Sequence, residues 1–157
     1  MQDSVYRLPP IFACMSAPVV PLVEWNAFNR ARGELGGQFV RILGYFREDG
    51  ARSVDQIESA MRLKSAAALV RPAHTLKGEA RQFGAEPLAD LAELIELTAR
   101  RCLETQSAPD ELIPEVVKLR PLFEGTLELF DRETNPLVQR RPAANGFGRR
   151  AVFGRAG

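Results

Sequence analysis

The chain contains a single histidine, His74, and the chemistry open to the protein depends on what surrounds that imidazole. A zinc site needs three or four ligands, and none stands at zinc spacing near His74. The sequence also lacks the G-x-S-x-G turn of a serine nucleophile, the G-x-x-x-x-G-K-[ST] phosphate loop and a dinucleotide-binding fingerprint. An imidazole is partly unprotonated near neutral pH and can then act as a nitrogen nucleophile. His74 is therefore the candidate reactive group, and no metal or cofactor is predicted.

The residues around His74 divide into two faces when they are placed on a helix at about 100° per residue. One face is apolar and consists of Leu69, Leu76, Ala80 and Phe83. The opposite arc holds three cations within about 60° of the histidine, namely Arg71, Lys77 and Arg81. No carboxylate falls on that arc. The pattern predicts a solvent-exposed imidazole beside positive charge that would stabilise an acquired phosphoryl group.

Gly78 lies one turn beyond His74 on the same exposed face. A glycine inside a helix costs about 1 kcal/mol relative to alanine, so its presence needs a reason. The missing side chain would let another surface approach the imidazole. The nucleophilic imidazole, the cations beside it and the open space left by Gly78 are together typical of a histidine that accepts a phosphoryl group. The alternative at this point is an ordinary solvated helix face, on which basic residues serve solubility.

The elements that position His74 are predicted to be helices. Between Leu22 and Asp131 the apolar residues recur with a period of 3.6, and no stretch alternates cleanly with period 2. Ser65 can cap the helix that carries His74, and Gly84 sits where a left-handed terminating residue is needed. Because only about three residues separate this helix from the next, the two must run antiparallel. The predicted fold is all-α, an antiparallel four-helix bundle with additional short terminal helices.

Two positions in the predicted bundle read locally as interruptions. Asp49-Gly50 looks like a helix stop, and Ser53 with Gln56 looks like a capping box that starts a second helix. One long helix weakened at Gly50 is the alternative. Pro121 lacks an amide hydrogen and crowds the carbonyl four residues back, so a kink or break is expected there.

Composition limits the domain organisation. With 157 residues, 45% of them hydrophobic and 26% charged, the chain suits one compact domain. Its apolar runs fall far short of the roughly 20 residues that a bilayer span needs, so a soluble, cytoplasmic protein without membrane association is predicted. Cys14 and Cys102 are expected to be reduced packing residues.

The ends of the chain differ from its body in composition. Residues 1–21 are proline-rich and read as an extended segment, and residues 22–131 form the predicted bundle. Residues 132–157 read as a basic, disordered tail. The net charge is +1 overall, and five arginines without an acid follow Thr134, so residues 1–133 carry 1 − 5 = −4.

The run His74-Thr75-Leu76-Lys77-Gly78, followed by Gly84, resembles the H-x-L-K-G-x5-G signature of histidine-containing phosphotransfer (HPt) domains. The resemblance extends from about Phe39 to Glu96, in the order that the family has. It implies a four-helix bundle and a helix that continues through Gly50. It also implies that the exposed histidine takes a phosphoryl group from the aspartate of a receiver domain and passes it to another receiver.

Carried over position by position, the resemblance makes His74 the phosphoacceptor. Lys77 would stabilise the phosphoryl charge, and Gly78 would keep the approach open. The implied partners are response-regulator receiver domains, with a hybrid sensor histidine kinase as a further candidate. The implied protein is a phosphocarrier in a two-component phosphorelay rather than an enzyme with its own nucleotide site.

A docking surface is expected around His74, formed by small and apolar residues and flanked by basic ones. Its members would be Ala67, Val70, Arg71, Gly78, Arg81 and Ala85. Two residues depart from the family pattern: Glu79 stands where a small residue is usual, and Pro72 precedes the histidine. Two other functions stay open: a helical adaptor that docks a receiver or kinase without accepting phosphate, and, less favoured, a nucleic-acid-binding module that uses the arginine tail.

Overall fold

The computed structural model describes residues 20–135 and Leu137. Its five α-helices are α1 (Trp25–Leu35), α2 (Phe39–Arg62), α3 (Ala66–Gln82), α4 (Glu86–Glu104) and α5 (Ile113–Thr134). Short 3-10 turns, Gly36–Gln38 and Asp110–Leu112, lead into α2 and α5. The described residues contain no strand. Most of the predicted N-terminal segment and of the predicted basic tail lies outside the described residues, so the division of the chain into three parts stays a prediction.

Helices α2 to α5 form the predicted antiparallel four-helix bundle. Helix α2 packs against α3 and α5, and α4 packs against the same two helices from the other side. The short helix α1 covers one end of the bundle, where the Phe28 ring stacks on Phe130 at 4.9 Å and meets Phe39 edge-on at 5.2 Å. The fold class is therefore confirmed. None of the described helices is long and apolar enough to cross a membrane.

The ends of α3 follow the predicted capping pattern. The Ser65 hydroxyl oxygen accepts a hydrogen bond from the Ala68 amide at 3.3 Å. Gly84 has φ +73°, and a side chain there would place Cβ 2.5 Å from the Glu24 carbonyl oxygen. The Gly84 carbonyl in turn accepts the Glu24 amide at 2.7 Å. Glycine at 84 therefore lets the α3–α4 turn close and lets the start of α1 rest on it.

Helix α2 is continuous through Gly50, so the local prediction of a helix stop was wrong and the continuous helix implied by the family resemblance is confirmed. Gly50 is buried, and a Cβ atom on it would lie 2.6 Å from Cε2 of Phe123 on α5. The glycine thus allows a close approach of two helices. Ser53, the expected cap, is a buried residue inside the same helix.

Helix α5 likewise runs unbroken through Pro121, so of the predicted kink or break the break was wrong and the kink stays a prediction. Pro121 is exposed, whereas Leu119 and Phe123 on either side of it are buried. Burial of these neighbours keeps the helix in place despite the lost backbone hydrogen bond, since tertiary packing commonly overrides local preference. Pro72, which is buried, is accommodated within α3 in the same way.

We predict that Gly50→Ala destabilises the protein by about 1–3 kcal/mol, because the added methyl group must displace the Phe123 ring in a packed core. Urea denaturation measures the free energy of unfolding. Gly44→Ala in the same helix is the matched control, since a Cβ atom there meets nothing within 4 Å, and it is expected to stabilise by up to about 1 kcal/mol. Equal effects of the two substitutions would contradict the close-approach explanation.

Candidate functional site

His74 lies in the middle of α3 with 63% of its side chain exposed. The apolar face predicted for this helix is confirmed, because Leu69, Leu76, Ala80 and Phe83 are fully buried. Their burial fixes the rotation of α3 and turns the imidazole outward. The exposure predicted for His74 is therefore confirmed.

A buried carboxylate from α4 holds the imidazole from one side. Glu96 is 4% exposed, and its Oε1 lies 3.0 Å from Nδ1 of His74. The same oxygen accepts hydrogen bonds from Nε and Nη2 of Arg100 at 3.1 and 2.8 Å. Its Oε2 lies 2.7 Å from Nζ of Lys77. Glu96 thus joins the histidine to two cations across the α3–α4 contact.

The ionisation state of Glu96 decides which tautomer the neutral imidazole adopts. Burial alone would raise its pKa, but hydrogen bonds from Lys77, Arg100 and His74 outweigh burial and lower the pKa to about 2. Glu96 is then ionised at neutral pH and can only accept a hydrogen bond. In the neutral imidazole the proton must therefore sit on Nδ1, and Nε2 carries the lone pair. Among the described residues Nε2 has no hydrogen-bond partner.

A second carboxylate, Glu93, lies one turn before Glu96 on α4. It accepts a hydrogen bond from Nη2 of Arg81 at 2.7 Å and lies 3.7 Å from Nζ of Lys77. The hydrogen bond from Arg81, followed by the positive charges of Arg81 and Lys77, lowers the pKa of Glu93 below its ordinary value. The arc of α3 that carries His74 holds no carboxylate, as the wheel predicts, but α4 brings two carboxylates to the same site. The helical wheel described α3 alone, and these carboxylates come from the neighbouring helix.

Gly78 has no packing role within the described part of the chain. A Cβ atom built on it meets nothing within 4 Å, and the residue is exposed. It differs in this from Gly50 and Gly84, whose absent side chains are required by neighbouring groups. Space beside the imidazole is thus kept open although the fold does not demand it.

The remaining residues of the predicted docking surface divide into three groups. Arg71, Arg81 and Ala67 are exposed on α3, and Val70 is partly buried against the core. Ala85 is fully buried and cannot be touched by a partner, so its predicted place on the surface was wrong. Ala85 was placed on the surface by extending the helical wheel of α3 to residue 85. In the structure α3 ends at Gln82, and Ala85 is the buried residue that precedes α4.

Glu93 and Glu96 belong to the candidate site but were not among the site residues predicted from the sequence. With Arg100 they recur at spacings of three and four residues, which places them on one face of α4. Opposite charges at Lys77 and Arg81 on the antiparallel helix before it were the available signal. No group of three or more metal-ligating side chains that could hold an ion occurs within residues 20–135.

Comparison with known proteins gives two matches. A family model for the Hpt domain matches residues 41–128. Among solved structures, the chain is similar to histidine-containing phosphotransfer protein B (HptB) from Pseudomonas aeruginosa PAO1, with a TM-score of 0.63 and 22% identity, over 73% of this chain and 95% of that one. At this identity the structural likeness shows the fold alone. No curated protein matches.

The family match spans more than half of the 157 residues and includes the whole of α3, which carries the exposed histidine, and the whole of α4. The chain therefore belongs to the Hpt domain family, the histidine phosphotransfer proteins of two-component phosphorelays.

Proposed function

We propose that His74 is the phosphoacceptor, which takes a phosphoryl group from the aspartate of one receiver domain and passes it to the aspartate of another. The observation that carries this proposal is the pairing of Nδ1 with ionised Glu96 on an exposed imidazole. It leaves the Nε2 lone pair directed away from any described partner.

The transfer step follows from this geometry. Nε2 attacks the phosphorus atom of the aspartyl phosphate, the N–P bond forms, and the P–O bond to the aspartate breaks so that its carboxylate leaves. The proton on Nδ1 stays in place, and the positive charge that develops on the ring is stabilised by the Glu96 carboxylate 3.0 Å away. Transfer to the second receiver reverses these bond changes, and no proton has to leave the site.

Lys77 would serve this step in two ways. Its ammonium group lies 2.7 Å from Glu96 and keeps that carboxylate ionised. It also adds a positive charge beside the site of the phosphoryl group. Phosphoryl transfer depends chiefly on positioning and charge neutralisation, and we propose that the receiver supplies the remaining charge neutralisation. In this function the protein is a phosphocarrier that obtains phosphate from its partner.

An apolar groove supports the docking of a receiver next to His74. It runs between α2 and α3, has a volume of about 590 Å³, and is lined by Ala60, Leu63, Ala67 and Ala68 among others. Leu63 is 78% exposed. Exposed apolar surface of this kind marks interaction sites, and a small contact suits a transient complex. A cytoplasmic location stays a prediction.

We predict that His74→Gln abolishes acceptance of phosphate and leaves the fold intact, since the side chain is mostly exposed. The measurement is transfer of radiolabel from a phosphorylated receiver domain to the wild type and to the variant. Labelling of the variant would show that another residue accepts the phosphoryl group. A receiver that binds the wild type but never labels it would favour the adaptor function.

We predict that Glu96→Gln slows transfer about tenfold, which corresponds to about 1.4 kcal/mol of lost stabilisation, because the neutral amide no longer fixes Nδ1–H or balances the charge on the ring. Single-turnover kinetics with a phosphorylated receiver measures the rate. Glu104→Gln, on an exposed residue at the end of α4, is the control and should leave the rate unchanged.

The Glu96→Gln variant also tests the lowered pKa of Glu96. A carboxyl group whose pKa is lower in the folded chain than in the unfolded chain stabilises the fold above the unfolded value, and that stability is lost as pH falls toward the folded value. We therefore expect the wild type to lose about 3 kcal/mol between pH 4.5 and 2 from this residue. Acid titrations of unfolding free energy should show that loss reduced in Glu96→Gln; identical curves would contradict the assigned shift.

We predict that Gly78→Leu leaves the fold as stable as the wild type or up to about 1 kcal/mol more stable, yet slows transfer at least about tenfold, because the side chain occupies the approach to the imidazole. Gly33→Leu on α1, where a Cβ atom also meets nothing within 4 Å, is the matched control. An unchanged rate of transfer in Gly78→Leu would contradict the explanation that Gly78 keeps the approach to the imidazole open.

A further inference from the structure

The charged residues around His74 form different contacts on the side that faces α4 and on the side that faces α2. On the α4 side, Lys77 and Arg100 bind Glu96, and Arg81 binds Glu93. These cations are thus paired within the bundle. On the α2 side, Asp49 and Arg52 form an ion pair on their own helix, and both line a second groove.

This second groove, here called the polar groove, has a volume of about 440 Å³ and lies between α2 and α3. Asp49 and Arg52 on α2 line one wall, with Oδ1 of Asp49 3.0 Å from Nη1 of Arg52. Arg71, Thr75 and Glu79 on α3 line the other wall. Arg71 and Thr75 stand within three residues of His74 on α3, so a partner that covers the imidazole and extends toward α2 reaches the polar groove. Arg71 and Arg52 also line the apolar groove, which makes the two grooves continuous.

Glu79 is the unsatisfied residue of this groove. Its Oε2 is buried and accepts no hydrogen bond from the described residues. Burial, and then the negative charge of Asp49, raise the pKa of Glu79 above its ordinary value. A buried carboxylate oxygen without a donor is costly. The residue as a whole is only partly buried, so its carboxylate can turn toward a donor that arrives from outside, and such a donor would remove this cost.

Arg71 is a second charged residue of this groove that lacks a partner among the described residues. It is exposed and forms no ion pair within residues 20–135. Glu79 stands eight positions after Arg71, which is a rise of about 12 Å along α3. A receiver docked over His74 would thus meet a positive charge at one end of the polar groove and a carboxylate that lacks a donor at the other.

We propose, on the basis of the proposed function, that Glu79 and Arg71 determine which receivers the protein accepts. The preferred receiver carries a lysine or arginine that donates to Glu79, and a carboxylate about 12 Å away that pairs with Arg71. A receiver with these charges absent or reversed is rejected, because it leaves Glu79 without a donor or places like charges together. The two positions also fix the direction in which the receiver lies along α3.

The experiment uses the full chain and the isolated receiver domains encoded in the same genome, each phosphorylated with acetyl phosphate. For the receiver that labels the wild type fastest, the single-turnover rate is measured against receiver concentration at low and high salt. We expect Glu79→Gln to raise the half-saturating concentration at least about fivefold at low salt and to leave the maximal rate unchanged. We expect the difference from the wild type to shrink at high salt, where partly exposed charges are screened.

Glu104→Gln is the matched control, since it removes one carboxylate from an exposed site at the far end of α4. Thermal unfolding verifies that each variant is folded. The double substitution R71E/E79K reverses both charges and is expected to change the ranking of receivers, so that the preferred receiver of the wild type falls behind one of opposite charge order.

Three results would overturn the inference. The first is an unchanged half-saturating concentration for Glu79→Gln, and the second is an effect on the maximal rate alone, which would indicate a structural role. The third is an unchanged ranking of receivers for R71E/E79K. In each case the wild type still accepts phosphate and the proposed function stands. If no receiver labels the wild type, the proposed function fails, and this inference fails with it.

Discussion

The site depends on one buried carboxylate. Glu96 is almost fully enclosed between α3 and α4, and a buried charge is tolerated only when it is paired. Lys77, Arg100 and the His74 ring provide the partners, and of these four residues two lie on α3 and two on α4. The need to satisfy Glu96 therefore fixes the side chain of Lys77, the tautomer of the imidazole and the facing sides of the two helices at once.

Much of this arrangement could be predicted from residues on a single helix. The apolar stripe of α3 and the capping residue Ser65 gave its rotation and its start, and the spacing of His74, Lys77 and Gly78 gave the candidate site. These features depend on the period of the helix and on the side chains of one segment. The same information was enough for the fold class, because short connections between helices leave few arrangements other than a bundle.

The features that could not be predicted depend on contacts between segments. The carboxylates of Glu93 and Glu96 reach the site from α4, which a wheel for α3 does not contain. Gly50 was interpreted as a helix stop. The ring that requires a glycine at this position belongs to Phe123, more than seventy residues away in sequence. Ala85 was misplaced because the wheel was continued past the true end of α3. In each case the pattern within one segment contained no information about the residues from other segments that pack against it.

The turn at Gly84 has a consequence for the register of the hairpin formed by α3 and α4. His74 lies ten residues before this glycine and Glu96 twelve residues after it, so the two rise to similar heights, about 15 and 18 Å, along antiparallel axes. The backbone contact of Gly84 with Glu24 holds the turn at this length. Inserting or deleting one residue there would rotate α4 by about 100° relative to α3 and carry the carboxylate away from the ring, although every residue of the site would still be present.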